Sequence, residues 1–140
     1  MAGECDEGHA VRTAAEAAVI LLDTHAAIWL LQGHRRARPL EQLPRLYLSP
    51  ASVLELQFLA EVGRVRFASE ASPATLAADE RWRLDDPPAA RWFAAACEIS
   101  WTRDPFDRLL AGHARLRGWK LATADALLLK KMPASDLLAL

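Results

Sequence analysis

Four acidic residues follow predicted strands or lie near the starts of predicted helices. Asp23 ends the apolar run "VILLD", and Asp125 ends the segment "LATAD". Glu55 and Asp107 each fall within the first two turns of a predicted helix. Because parallel strands end at one edge of a sheet, and the helices that follow them begin there, we expect these carboxylates to converge. Mg²⁺ or Mn²⁺ suits such a site, since oxygen ligands bind these cations and the cation offsets repulsion among the acids.

Each of these acids also has a purely structural interpretation. Asp23 and Asp125 could simply be N-caps of the helices that follow them. Asp107 could complement a helix dipole, and Glu55 could be an ordinary solvated helix residue. Asp104 fits the N-cap role so well that we assign it there. Taken singly, each acid favours the structural interpretation, and only the set of four on one edge favours a metal site.

The elements that must position these acids alternate between strands and helices. Strands are predicted at "VILLD", at Leu46 to Leu48 and at "WKLATAD", the last clear strand. Two helices are predicted to end at glycines, one from Thr24 to Gly33 and one from the N-cap Ser49, with Pro50, to Gly63. Two more are predicted to begin after the N-caps Asp86 and Asp104. The remaining two are predicted over Ala74 to Glu80 and over "ALLLKKM" to Pro133. The segment "HRRARPLEQLPR" is predicted to be a proline-broken connection. This alternation indicates an α/β fold whose parallel sheet is covered on both faces.

Composition restricts the class of protein. The 140 residues are enough for one domain, and 17 basic against 18 acidic residues give a net charge of -1, so a polyanion would need a local basic patch. Cys5 and Cys97 match no metal spacing, which favours a reducing, cytoplasmic setting. No apolar run approaches the roughly 18 residues of a membrane helix. We expect residues 1–18 to be a flexible lead-in, helical in part over Thr13 to Ala18, and residues 19–140 to be the domain.

Basic and aromatic residues give weaker indications. His25 follows Asp23 and is interpreted as an orienting or packing residue, while His9, His34 and His113 show no partner. The tryptophans fit core positions better than base-stacking positions. Phosphate contacts could come from one of two basic groups, although either group could equally be a solvated face: Arg35, Arg36 and Arg38, or Arg115, Arg117 and Lys120.

Three segments together resemble a known family. In this order, "LLDTHAAIWLL", "SPASVLELQFLAEVGRV" and "RDPFDRLLAGHARLRGWKLATAD" resemble the PIN domain, most closely the VapC-type ribonuclease toxins of toxin-antitoxin systems. The resemblance covers roughly Val19 to Met132. It implies a three-layer α/β/α fold with a central, mainly parallel sheet. It also implies a Mg²⁺- or Mn²⁺-dependent endoribonuclease that hydrolyses RNA phosphodiester bonds, is usually a homodimer and is often silenced by a cognate antitoxin.

The resemblance also implies roles for particular residues. By position, the family's acidic residues, which bind metal and are catalytic, correspond to Asp23, Glu55, Asp107 and Asp125. The hydroxyl groups of Thr24 and Thr123 are expected beside them.

The chain departs from the family's pattern at several places. The span between Asp23 and Glu55 is short, and the tail "ASDLLAL" lacks the usual closing strand pattern. Gly112 and His113 stand where an apolar or amide residue is common in the family, so we expect this helix to be less stable. The apolar residues of "RVRFASEASPATLAADERW" and "LLAL" exceed what a small core needs, so we expect a second copy or an antitoxin helix to cover some of them.

Two other classes of protein remain open. One is a non-catalytic PIN-like module that binds RNA or a partner. The other is a phospho-accepting receiver domain, which would need an acidic pair beside the first strand, an acceptor aspartate on a middle strand and a late lysine.

Overall fold

Residues 18–67 and 72–140 are described by a computed structural model of the chain, and most of the expected lead-in and its helix lies outside them. The described strands are β1 (Ile20–Leu22), β2 (Leu46–Leu48), β3 (Arg83–Leu84), β4 (Lys120–Thr123) and β5 (Leu137–Ala139). The described α-helices are α1 (Thr24–Gln32), α2 (Arg38–Glu41), α3 (Pro50–Glu61), α4 (Pro73–Ala77), α5 (Ala89–Cys97), α6 (Pro105–Arg117) and α7 (Ala126–Lys131).

The five strands form one sheet in the order β3-β2-β1-β4-β5. Every neighbouring pair is parallel, and Leu21 of β1 is paired with Tyr47 of β2 and with Leu121 of β4. Strands β2 and β3 lie on one side of β1, and β4 and β5 lie on the other. The direction in which strands are added therefore reverses between β1 and β4. Open parallel sheets bind ligands at such a reversal, outside the carboxyl ends of the strands.

Strand β1 is apolar throughout because both of its faces are covered. Ile20 and Leu22 pack on one face of the sheet in a core shared with α1 and α2. Leu21 points to the opposite face and packs in a second core with Leu110 of α6 and Leu128 of α7. Side chains alternate across a strand, so a strand between two helical layers must be hydrophobic at every position. The predicted three-layer α/β/α architecture is confirmed.

Local capping sets the starts of the helices that matter for the site. The Ser49 hydroxyl accepts from the backbone N–H of Ala51 and Pro50 is the first residue of α3, as predicted. The Asp104 carboxylate accepts from two backbone N–H groups at the start of α6, also as predicted. The predicted cap at Asp86 is wrong, because α5 begins only after Pro88 and has no side-chain cap.

Other differences from the predicted elements arise from contacts with distant parts of the chain. The tail forms β5, an edge strand paired with β4, so the expectation that it lacks a closing strand is wrong. Leu138 and Leu140 pack against the core, which accounts for most of the tail's apolar surface within the chain itself. The connection predicted as irregular contains a 3₁₀ turn (Arg35–Ala37) and α2, which Ala37 and Leu40 anchor by burial.

Two of the tryptophans confirm the core interpretation. Trp82 and Trp92 are buried, and their indole N–H groups donate to the carbonyls of Leu76 and Leu109. Among the described helices, none combines the length and the hydropathy that a bilayer-spanning segment requires.

Candidate active site

The four acids singled out from the sequence line one cavity of about 350 Å³ at the carboxyl edge of the sheet. Four different elements supply them. Asp23 follows β1, Glu55 lies on α3, Asp107 lies in the first turn of α6, and Asp125 follows β4. The predicted convergence at one edge is therefore what the fold produces.

Asp23 caps a helix and also lines the cavity. It is the N-cap residue of α1, where its Oδ1 accepts from the Thr24 backbone N–H at 2.7 Å. Its Oδ2 accepts from the Thr123 hydroxyl, also at 2.7 Å. Asp23 is only 7% exposed, and burial raises the pKa of its carboxyl although the hydrogen bond from Thr123 opposes the rise.

Thr123 links the Asp23 carboxylate, after β1, to the backbone of Asp125, after β4. Its hydroxyl donates to Asp23 and accepts from the Asp125 backbone N–H at 3.0 Å. Asp125 in turn caps α7, accepting from the Leu128 N–H at 3.0 Å. The two-residue spacing of Thr123 and Asp125 thus places one hydroxyl between two acids on neighbouring strands.

Glu55 is half-buried on the second turn of α3. Burial raises the pKa of its carboxyl, and the charges of Asp23 and Asp104 add to the rise, while the Thr24 hydroxyl and His25 oppose it. The Thr24 hydroxyl donates to the Ser52 hydroxyl at 2.9 Å, which fixes the start of α1 against the first turn of α3. The expected role of the Thr24 hydroxyl beside the acids stays a prediction.

Asp107 has a raised pKa for two reasons. Burial is the larger cause and the charges of the neighbouring acids, Asp104 first, are the smaller one, and together they raise the pKa of its carboxyl to about 7. Asp104 also lines the cavity, so it is a fifth carboxylate there as well as a cap. The signal for this second role was available, because Asp104 and Asp107 occupy one helical turn and lie on the same side of it.

The four acids have no ion-pair partner among the described residues. None of them forms a salt bridge with a described arginine, lysine or histidine, whereas Asp79, Asp85 and Glu98 elsewhere do. The donor set consists of carboxylate oxygens, which suits a hard divalent cation. No group of three His, Cys, Asp or Glu side chains in residues 18–67 and 72–140 is arranged so that it could hold a metal ion.

Basic and aromatic side chains line the same cavity. They include His25, Arg36 and Arg64, together with Trp29 and Phe58. The Arg36 guanidinium lies over the Trp29 ring, 5.5 Å from its centroid. These are the groups that bind phosphate and stack on bases in single-stranded nucleic acid.

Of the two basic groups considered from the sequence, only the first reaches the site, through Arg36. Arg115, Arg117 and Lys120 do not line the cavity, and Arg117 is paired with Asp85. Arg64 was missed, because a single arginine after a helix end carries no local signal. Trp29 is half-buried and faces the cavity, so its assignment to the core alone is incomplete.

Two histidines that show no partner in the sequence have one in the structure. His34 Nδ1 accepts from the Arg36 backbone N–H at 3.1 Å and caps the 3₁₀ turn. His113 is fully buried and bonded through both ring nitrogens, to Ser49 and to Asp85.

Comparisons with known proteins agree with this fold. The chain is similar to a protein named ribonuclease VapC22 from Mycobacterium tuberculosis (strain ATCC 25618 / H37Rv), with 30% identity over 112 residues, 76% of this chain and 86% of the relative. It shares its fold with a toxin-antitoxin complex from Klebsiella pneumoniae (TM-score 0.59, 20% identity, 86% of this chain and 96% of the other). The chain also shares its fold with DNA-bound VapBC from Salmonella typhimurium (TM-score 0.57, 21% identity, 87% of this chain and 98% of the other).

The PIN domain profile matches residues 20–133, which span all five acids at the cavity and four of the five strands. With the sheet order and the acidic edge described above, this match makes the chain a member of the PIN domain family.

Proposed function

We propose that this protein is a divalent-metal-dependent endoribonuclease and the toxin of a toxin-antitoxin pair. The observation that carries the proposal is the meeting of Asp23, Glu55, Asp107 and Asp125 in one cavity without a salt bridge to any described basic residue. Carboxylates placed together in this way are unfavourable unless a cation balances them. Family membership and the relative named ribonuclease VapC22 support the same function.

Asp23, Glu55 and Asp107 would be the main ligands of a Mg²⁺ or Mn²⁺ ion, and Asp125 would act through a water or at a second ion. When bound, the cation lowers the pKa of a coordinated water and neutralises charge that develops on the phosphate. The residues of the chain hold the ligands in place. Thr123 orients the carboxyl of Asp23, and the Thr24–Ser52 hydrogen bond holds α1 against the helix that carries Glu55.

Arg36 and Arg64 would bind the RNA. The two guanidinium groups would neutralise phosphates of the RNA, and the Trp29 ring, which packs against Arg36 and the His34 ring, would hold Arg36 at the cavity. The stacking of Arg36 over Trp29 limits the freedom of that guanidinium before RNA binds, which lowers the entropy cost of binding.

Cleavage of a labelled single-stranded RNA tests the activity. The purified protein should cleave with Mg²⁺ or Mn²⁺ present, lose activity in a chelator and recover it when the cation is restored. Asp125→Asn and Glu55→Gln should abolish cleavage without unfolding the protein. Absence of any cation-dependent cleavage on a broad panel of RNAs would leave the non-catalytic RNA- or partner-binding module as the better assignment.

The receiver alternative is disfavoured by the order of the strands. A receiver domain needs its acceptor aspartate close to the acid after β1, and the matching position here would be Asp85, directly after β3. Strand β3 lies at the edge of the sheet, two strands from β1, and Asp85 is bonded to His113 and Arg117 instead.

A protein partner is proposed for the outer face of α3. Leu54, Phe58 and Val62 follow one another at four-residue spacing, so they form a stripe along one helix face, and they are 60%, 48% and 51% exposed. Phe58 also lines the acidic cavity, so a helix bound along the stripe would reach the site. We propose that the partner is an antitoxin helix, since one structural neighbour is a toxin-antitoxin complex, and that a homodimer forms through another face.

A further inference from the structure

His113 lies in the middle of α6, where the neighbouring residues Leu110 and Ala114 are core residues, yet it is polar and fully buried. A buried polar group is costly unless it is hydrogen-bonded. Both ring nitrogens are satisfied, since Nδ1 is 2.9 Å from the Ser49 hydroxyl and Nε2 is 2.7 Å from Asp85 Oδ2. Arg117 donates to the same Asp85 oxygen at 2.8 Å, which fixes that carboxylate in turn.

The Ser49, His113 and Asp85 side chains have the composition of a nucleophile triad but cannot work as one. Ser49 and His113 are both inaccessible to solvent, and the Ser49 hydroxyl also accepts the N–H of Ala51 as the cap of α3. An ionised Asp85 can only accept, so His113 donates through Nε2 and accepts the Ser49 proton at Nδ1. Burial lowers the pKa of His113, although the bond to Asp85 opposes it, which agrees with a neutral ring.

The geometry of the Ser49–His113 pair matters because of where the pair lies on its two helices. Helices α3 and α6 pack with opposite directions, since Ser49 at the start of α3 meets the middle of α6, whereas Phe58 meets Phe106 at the start of α6. Glu55 is six residues after Ser49, and Asp107 is six residues before His113. At 1.5 Å per residue, each acid lies about 9 Å along its helix from the Ser49–His113 hydrogen bond. Because the helices run in opposite directions, both acids lie on the same side of that bond.

We infer that the Ser49–His113–Asp85 hydrogen bonds are a latch that fixes the sliding register of α3 against α6, so that Glu55 and Asp107 face each other across the cavity. His113 is therefore a positioning residue. This inference rests on the proposed metal-dependent function for its effect on catalysis, but not for its effect on register. A slide of one helical turn would move one acid about 5 Å past the other, too far to share a cation.

The latch is tested with His113→Leu, which removes both hydrogen bonds and replaces the imidazole with an apolar side chain of similar size. Ser49→Ala, which opens the latch from the α3 side, is the second variant. His113→Gln is the rescue variant, since its amide can both donate and accept. Trp82→Phe is the control, because it removes another buried hydrogen bond, to the Leu76 carbonyl at 3.0 Å, without touching the Ser49–His113 contact between α3 and α6.

The first measurement needs no activity. Spin labels at the exposed positions Gln57 of α3 and Arg115 of α6, with Cys5 and Cys97 changed to serine, report the distance between the helices. We expect His113→Leu to shift or broaden the distance distribution by up to about 5 Å, and Trp82→Phe to leave it unchanged.

The second measurement is Mn²⁺ affinity by calorimetry, with kcat and KM for RNA cleavage, each well below the melting temperature of the variant. We expect His113→Leu to weaken Mn²⁺ binding and lower kcat by on the order of 100-fold, as misplacement of a reacting group by about 1 Å does. KM for RNA should stay close to that of the parent, because Arg36, Arg64 and Trp29 are untouched. His113→Gln should recover most of the loss.

Unchanged distances, Mn²⁺ affinity and kcat in His113→Leu would overturn the latch, and so would equal losses in Trp82→Phe. If the parent protein itself neither binds Mn²⁺ nor cleaves RNA, the proposed function fails. The spin-label distances then still decide whether the latch sets the register.

Discussion

At the scale of single residues, Asp107 has a carboxyl whose pKa lies close to neutral pH. Its carboxyl is half-buried and shares a cavity with four other carboxyls, so the pKa rises from 3.8 to about 7. Near neutral pH, a cation that binds there must therefore displace a proton from part of the population. Affinity for Mg²⁺ or Mn²⁺ is expected to increase with pH until Asp107 is fully ionised.

The same pKa predicts how stability depends on pH without metal. Between pH 3.8 and about 7, the folded protein retains a proton on Asp107 that the unfolded chain has lost. The free energy of unfolding therefore falls as pH rises through this window. Asp107→Asn should remove part of the fall, leaving the parts due to Asp23 and Glu55, whose pKa values are also raised. Melting temperatures in chelator from pH 5 to 8 measure this, and parallel curves for parent and variant would contradict it.

Asp104 and Asp107 are three residues apart, but substitutions of the two should have different effects on stability and cleavage. Asp104→Ala removes the cap of α6 and should cost about 1 kcal/mol of stability, while metal-dependent cleavage persists. Because the Asp104 charge helps to raise the pKa of Asp107, the pH–rate profile of Asp104→Ala should also move to lower pH. Asp107→Asn should keep or increase stability and lose cleavage by orders of magnitude. Denaturant titrations and rates with Mn²⁺ compare the two, and parent-like cleavage by Asp107→Asn would refute its role.

At the scale of elements, Gly112 allows α5 and α6 to pack closely. A Cβ atom at this position would lie 2.8 Å from the backbone nitrogen of Ala96 and 3.0 Å from its Cα. The sequence suggested that Gly112 weakens α6, which is true of an isolated helix, but here a larger residue would push two backbones apart. Helix α6 carries Asp107, so the spacing of α5 and α6 also bears on the site.

Gly112→Ala should therefore destabilise the protein, although alanine favours helix by about 1 kcal/mol. We expect a net loss of about 1–3 kcal/mol, as for other overpacked sites. Arg115→Ala on the exposed face of the same helix is the control and should change stability by less than about 0.5 kcal/mol. Urea unfolding of both variants measures the difference in the free energy of unfolding. A Gly112→Ala protein more stable than the parent would show that α5 and α6 can move apart at little cost in free energy.

The elements that the sequence predicted well are those specified by neighbouring residues. Ser49 with Pro50, and Asp104 with Pro105, satisfy helix N-termini within one turn, so the pattern is local. The acids could be assigned to one edge because parallel topology alone brings strand ends together. The cap expected at Asp86 is wrong, because α5 begins only after Pro88. The partners of His113 were missed because Asp85 and His113 meet across 28 residues of chain. Strand β5 was missed for a related reason, since only pairing with β4 makes its three residues extended.

At the scale of the whole molecule, the stripe of Leu54, Phe58 and Val62 predicts where a partner binds. Leu54→Lys should weaken binding of the cognate antitoxin by about tenfold or more, since it places a charge on a face that must be dehydrated. Gln57→Lys, on the same helix but outside the stripe, is the control. RNA cleavage by the free protein should be unchanged in both, because neither residue lines the cavity. Equal affinities of the two variants, by calorimetry, would place the partner on another face.

The double role of Asp23 and Asp125 has a practical consequence. Each side chain caps a helix with one oxygen and faces the cavity with the rest of its carboxylate. Asparagine caps a helix about as well as aspartate but carries no charge. A protein with asparagine at position 125 should therefore keep its shape and its RNA-binding wall while being unable to cut. Expressed in living cells and crosslinked with light, such a substrate trap would retain the natural target intact, so that sequencing of the captured RNA could identify it.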